Sequence, residues 1–402
     1  MRCNCSPPGN LGSRLPILSG WRTVTLPLLQ FLLEVRAVTV RWALLFFFCL
    51  GSASAGNSEF RYLHRSSKGL MMGDAYTTLA LDSSALFYNP ALAARNDLAA
   101  IYPLPMDMGL FHLLDEKDRF DNADTNEVSD FVDAIIGLPI HFRAGLVPTI
   151  KFGGFTFSSF AVADTHLIVR DRIHPVGDFY YRYDRGFALG FGWMPFGSSR
   201  SGGPSLALGA SLKYIHRDAI INQYDIFSKT FADLISSDSR GLDGIKNSLG
   251  LTKGKGWGAD LGVDWRYKWG PSTLALGFSA MDVLDTKIKT YRGSGPMPDQ
   301  PMALSFGSSF SQVLNSLADW TVSFDLHPLG ERIKLKEKAH LGFQMGIPLV
   351  DFFVGYNNDC RSYGVAFDLF PFEFAVGVYE RMFGRDKKRS LTAHFSLFDT
   401  SF

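Results

Sequence analysis

The 402 residues hold nine histidines and 39 acidic side chains, enough for acid–base or metal chemistry, but these are dispersed along the chain. There is no Gly-x-Gly-x-x-Gly dinucleotide loop, Walker loop, Gly-x-Ser-x-Gly elbow or His-Glu-x-x-His pair. His327 and His340 fall on the polar side of alternating segments. A hydrolase pairing His with Ser or Asp is therefore the enzymatic reading. A polar residue inside a lumen is far more often lining than catalyst, so no catalytic residue, metal ligand or cofactor is assigned and enzyme activity is not expected. The other conspicuous charges are Lys213, Asp260, Asp264, Arg266, Lys268, Asp325 and Glu373, each set between apolar neighbours. They read as charges on an enclosed face that pair across strands, because a basic side chain turned to lipid costs about 2–4 kcal/mol at mid-membrane.

Those charges are positioned by period-2 alternation. Between Trp257 and Trp269 one face reads Ala259, Leu261, Val263, Trp265, Tyr267, and the other Asp260, Gly262, Asp264, Arg266, Lys268. Side chains of a strand alternate faces, whereas a helix would mix the two sets. The same pattern recurs in Phe187–Trp193, Leu206–Tyr214, Leu274–Ala280, Trp320–Leu326, Leu341–Met345, Tyr363–Leu369, Phe372–Val378 and Leu391–Leu397, with weaker candidates near 97–104, 154–163 and 179–183. About fourteen strands are expected, many near the length that crosses a bilayer. Turn signals separate them at Pro195-Phe196-Gly197, Gly270-Pro271, Asn357-Asn358-Asp359 and Gly384-Arg385-Asp386.

A soluble β-sandwich or propeller would also alternate. The apolar stripes here begin or end in Trp193, Tyr214, Trp269 and Trp320, as an interfacial aromatic girdle requires. Open sheet edges are not tolerated in lipid, so such strands must close. The expected fold class is all-β: a closed antiparallel transmembrane barrel. The 35 Phe supply its apolar exterior and the 39 Gly its curvature. With 40 basic and 39 acidic residues there is no global field for nucleic acid, which is not expected as a partner.

Residues 1–55 read as a secretory signal with an N-terminal extension, the true start being expected downstream of Met1. Arg36 and Arg41 precede the short apolar core Trp42–Leu50, and Ala53-Ser54-Ala55 supplies a cleavage site. Cleavage would leave Cys360 as the single thiol, so no intrachain disulfide is expected. Residues 56–96 read as a compact helical or irregular segment, and 97–402 as the barrel. An amphipathic helix is expected over 126–136, and a long polar loop with a short helix over 218–256. The chain ends at Phe402, as many outer-membrane proteins do, but in the register opposite to Leu391, Ala393, Phe395 and Leu397. That requires a bulge, or a strand ending near Leu397.

The segment Lys68-Gly69-Leu70-Met71-Met72-Gly73-Asp74-Ala75-Tyr76, followed by Leu81-Asp82-Ser83-Ser84-Ala85-Leu86-Phe87-Tyr88-Asn89-Pro90-Ala91, resembles the mature N-terminus of FadL-type outer-membrane proteins. That superfamily includes fatty-acid and aromatic-hydrocarbon channels as well as PorV-like secretion barrels. The resemblance implies a plug inside the barrel, with Asn89, Pro90 and Ala91 at its motif and Gly73 and Asp74 nearby as candidate binding residues. Pro90 forces Asn89 to be extended and stops a helix there. Structural fastening of the plug is preferred to ligand contact at these residues. Phe87 and Tyr88 depart from the more polar residues of the fatty-acid channels. The resemblance implies passage of hydrophobic, fatty-acid-like molecules across the outer membrane; the alternative is a non-transporting PorV-like scaffold for secreted proteins. Expected partners are outer-membrane lipid, a hydrophobic ligand in the lumen, the barrel-assembly machinery and, on the alternative reading, a secreted protein.

Overall fold

The computed structural model describes residues 61–95, 99–111, 136–138, 140–170, 174, 176–199, 202–225, 249–315, 317–383 and 386–401. The expected signal region and residues 126–135 of the expected helix lie outside the described residues, as does most of the 218–256 loop; Ile136 forms an isolated bridge with Val169.

Fourteen antiparallel strands form one closed barrel. They are β1 (Ala99–Tyr102 and Met106–Phe111), β2 (Ile140–Leu146 and Thr149–Phe152), β3 (Phe155–Arg170), β4 (Val176–Phe196), β5 (Gly203–Asp225), β6 (Thr252–Trp269), β7 (Ser272–Met281) and β8 (Ala303–Asn315). They continue as β9 (Ala318–Leu326), β10 (Ala339–Ile347), β11 (Val350–Asn357), β12 (Cys360–Leu369), β13 (Phe372–Phe383) and β14 (Asp386–Leu397 and Thr400–Ser401). Each pairs with its chain neighbours, and β14 closes on β1 through Phe395↔Met106 and Ile101↔Thr400. β1, β2 and β14 are each interrupted at one level: at Pro103-Leu104-Pro105, at Val147-Pro148 and at Phe398, whose φ is +58°. Proline cannot donate to a ladder, which explains the first two breaks. The third falls where the long strand ends at Leu397, before the short Thr400–Ser401 piece; Phe402 lies outside the described residues.

Tight turns such as Gly153-Gly154 and Gly270-Pro271 lie at one end, where β1 begins and β14 ends; the long β1–β2, β5–β6 and β7–β8 connections lie at the other. In outer-membrane barrels short turns are periplasmic and long loops extracellular; these ends are called inner and outer below. The exterior is apolar. Leu189 is 53% exposed, Leu212 49% and Phe352 46%, values that suit lipid as solvent. Phe187, Tyr214 and Trp257 make an outer aromatic row; Trp269, Phe310 and Trp320 make an inner one. From Trp257 to Trp269 a strand tilted at roughly 40° rises about 30 Å, the depth of a hydrocarbon core.

The 218–256 segment is shorter as a loop than the sequence suggested. Asp218–Asp225 completes β5 and Thr252–Gly256 opens β6. These residues stand above the aromatic row, where neither strand face needs to be apolar, so alternation carries no hydropathy signal there.

Candidate functional site

The lumen is filled by residues 61–95. Helix α1 (Ser67–Met71), helix α2 (Ala85–Tyr88) and a 3-10 turn (Pro90–Arg95) are its regular parts. α2 stops at Asn89, which is extended (φ −157°, ψ 107°) ahead of Pro90. The plug runs lengthwise. Arg61 pairs with Glu331 and the Gln300 amide donates to the Arg61 carbonyl, both at the outer end. Arg95 bonds to Asp264 (2.7 Å) and to the Ser205 hydroxyl (2.6 Å), near the inner ends of β6 and β5.

Asn89, Pro90 and Ala91 lie against β5 and β6 and are buried. The Asn89 amide nitrogen donates to the Val263 carbonyl (3.1 Å), and its oxygen accepts from the Ala91 N–H (3.1 Å). This contact demands glycine in the wall. A Cβ on Gly262 would sit 2.0 Å from Asn89 Oδ1, and one on Gly209 2.3 Å from the Ala91 nitrogen. Asn89 thus ties plug to wall and braces its own turn, leaving no polar atom of the amide group turned to an open space.

Gly73 and Asp74 form a second fastening near the outer end. Both are left-handed, with φ of +65° and +67°. This turn presents two carbonyls to an imidazole pair. Gly73 O lies 2.7 Å from His340 Nδ1 and Asp74 O lies 3.0 Å from His327 Nε2, with the two rings stacked at 3.8 Å. The Asp74 carboxylate accepts from Tyr88 OH (3.2 Å) and faces Arg65 Nε (3.3 Å). Arg65 lies over Tyr62 at 3.3 Å and Tyr88 at 4.7 Å, so the aromatic faces share its charge. Asp74, His327 and His340 bring ligand-type atoms within 4.8 Å of one another. The near carbonyls make these ring nitrogens hydrogen-bond donors, an arrangement that favours a latch over a metal centre.

Several wall charges act differently from the cross-strand pairing expected. Lys213 does pair within the wall, with Asp260 (2.7 Å) and Asp282 (2.9 Å). Asp325, however, accepts from the Thr77 N–H of the plug (2.7 Å), Glu373 pairs with Lys68, and Asp264 holds Arg95. Arg266 donates to the Thr78 carbonyl (2.8 Å). Lys268 is exposed at the inner rim rather than enclosed. An occupied lumen puts plug backbone nearer to these side chains than the opposite strand.

Sequence reasoning missed Arg65, Arg95, Asp107 and Lys151. Asp107 accepts from the Ser67 N–H (2.7 Å) and lies 3.1 Å from His394 Nδ1. Lys151 donates to the Leu81 (2.5 Å) and Asp82 (2.6 Å) carbonyls. β1 and β2 alternate too briefly between their prolines for this inward register to stand out.

Above these contacts a cavity of about 250 Å³ is lined by Arg61, His64, Arg65, Arg143, Arg182 and His327, among others. Its lining sets six arginines beside four acidic residues, Asp74, Asp164, Glu337 and Glu380. Arg65 Nε is already set toward Asp74, and one terminal nitrogen is buried without a hydrogen bond, so one donor remains for an acidic group.

No protein-family model and no curated protein matches the chain. Among solved structures, a deltaS2 mutant of TodX, described as a monoaromatic hydrocarbon channel, aligns with a TM-score of 0.50 at 10% identity. That alignment covers 86% of this chain and 100% of that one. The toluene transporter TodX of Pseudomonas putida gives 0.47 at 10% identity, and the toluene transporter TbuX of Ralstonia pickettii 0.45 at 9%, each over 85% of this chain and 100% of its own. No scaffold barrel of the PorV type is among these neighbours, and that reading gains no support from them. The chain therefore has the closed β-barrel fold of that hydrocarbon channel.

Proposed function

We propose that this barrel passes hydrophobic small molecules, fatty-acid-like in character, across the outer membrane, and that the plug is the part that must move. The observation that carries the reading is a closed barrel whose lumen is filled by a segment held through separable polar contacts. Asn89–Val263, Gly73–His340, Thr77–Asp325 and Arg95–Asp264 can each break without opening a wall ladder. The neighbours named for hydrocarbon transport share this fold. The outer cavity supports the acidic end of the ligand class, since Arg65, Arg143 and Arg182 line it and a guanidinium suits a carboxylate.

Asn89, Pro90, Ala91, Gly73 and Asp74 serve this function as fastenings. The Asn89 amide and the Gly73 and Asp74 carbonyls reach Val263, His340 and His327 outside the plug, and what they control is the resting position of the plug. Uptake of labelled oleate by cells lacking the chromosomal copy, with and without the barrel supplied, tests the reading. Uptake several-fold above the empty-vector strain is expected; equal uptake of oleate and of labelled toluene in both strains would sink it.

A further inference from the structure

β4, β5 and β6 continue beyond the outer aromatic row, and the short strand Lys289–Arg292 extends the sheet beside β6. In that row Phe187 stands opposite Tyr214, and Tyr214 opposite Trp257; the latter two rings are 5.0 Å apart. One outward position higher, the register places Arg185 opposite His216, His216 opposite Lys255, and Lys255 opposite Lys289. The next outward row is Tyr183, Asp218, Lys253 and Arg292.

Asp218 is the carboxylate of these two rows; Asp299, close by, is already paired with Lys287 (2.9 Å). Asp218 is already shared between Arg185 (3.6 Å) and Lys253 (3.4 Å). Lys255, Lys289 and Arg292 are exposed and have no carboxylate partner among the described residues. Like charges directly opposite on a ladder destabilise it, and this sheet places Lys255 against Lys289 and Lys253 against Arg292. An arrangement of this kind is relieved when an anion lies across it.

Height and surroundings specify the anion. Along the barrel axis Lys255 and Lys289 stand about 5 Å, and Lys253 and Arg292 about 10 Å, above the aromatic row, in the headgroup region of the outer leaflet. Directly below is an unbroken apolar strip that includes Leu189 (53% exposed), Leu212 (49%) and Trp257 (57%). A ligand with phosphates at the top and acyl chains beneath matches both halves; a free anion would use only the upper one. We propose that this flank binds a phosphate-bearing lipid of the outer leaflet. Its phosphates bridge Lys255, Lys289, Lys253 and Arg292, while its chains lie on the strip between β4 and β6.

The full chain in micelles doped with diphosphorylated lipid A, or with the same lipid dephosphorylated, provides the test, with native mass spectrometry counting retained lipid. Wild type should retain the phosphorylated form about twenty-fold over the dephosphorylated one, a preference that Lys255→Gln/Lys289→Gln should abolish. Lys268→Gln, at the opposite rim, should leave it intact. In undoped neutral micelles the double variant should unfold no sooner than wild type, because a repulsion has been removed; this also shows that it folds. Absence of a preference in wild type, or its persistence in the double variant, overturns the proposal. So does complete displacement of the lipid by equimolar inorganic phosphate, which would mean that the acyl chains contribute nothing.

Discussion

A methyl group is enough to test the fastening at Asn89. With a Cβ on Gly262 only 2.0 Å from Asn89 Oδ1, plug backbone must withdraw or the wall must bend. Gly262→Ala should loosen the plug at a cost of about 1–3 kcal/mol while the barrel itself still forms. In planar bilayers this should appear as conductance events absent from wild type; a silent channel with normal heat-shifted gel mobility would refute it. Asp74 offers the electrostatic counterpart. Asp74→Asn keeps a side chain that tolerates the +67° φ but removes the charge facing buried Arg65. Loss of one partner from a buried pair costs about 3–5 kcal/mol, so this change should open the lumen more often than Gly262→Ala, measured in the same bilayers.

The plug as an element is held by groups that titrate. Burial of the His64 ring pushes its pKa below the ordinary 6.5, against the opposing pull of Asp107. The folded state therefore disfavours the protonated ring, and stability is lost as pH falls below 6.5. Burial would push the Asp82 carboxyl up, but the charge of Lys68 and the bonds from Ser84 hold it below the usual carboxylate value of 3.8. Its contribution is present above that value and lost as pH falls through the depressed one. The two act in separate windows, so channel conductance should rise as pH falls below 6.5, a rise removed in His64→Gln, and rise again only below about pH 3.8, where Asp82 is lost. This element was partly legible in the sequence. The Asn89-Pro90-Ala91 stop stood out because proline has local consequences, whereas Gly73 and Asp74 were marked only by the resemblance and their turn is seen in the structure. Their partners Gly262, Val263, His327 and His340 are far away in sequence, and only closure of the barrel brings them near. The strands were legible wherever lipid lies on one side and the lumen on the other, as in Trp257–Trp269. Legibility ended above the membrane at Asp218–Asp225, where water meets the outer face and the alternation loses its contrast.

For the whole molecule, the wall and its contents are energetically separable. The wall ladders close without any plug residue: β14 pairs with β1, and no strand pairing includes residues 61–95. Deleting residues 61–95 should therefore leave a folded barrel with a water-filled lumen. The expected outcome is a large steady conductance and entry of hydrophilic solutes, measured by liposome swelling; a collapsed or proteolysed product would show that the plug is part of the wall's stability. Retaining the plug sets a selective passage against this open one.

The route of the chain through the barrel restricts how that passage can open. Residue 61 lies at the outer mouth and residue 95 near the inner one, while the strand that follows completes the ring with the last strand of the protein. Once that final seam is paired, the segment inside is a thread through a closed loop: it has no exit through the side. Movement of the thread itself must then run along the axis, by shortening, coiling or sliding within its bore. The order of biosynthesis follows too, since the ring can close around its contents only after every other strand has been made.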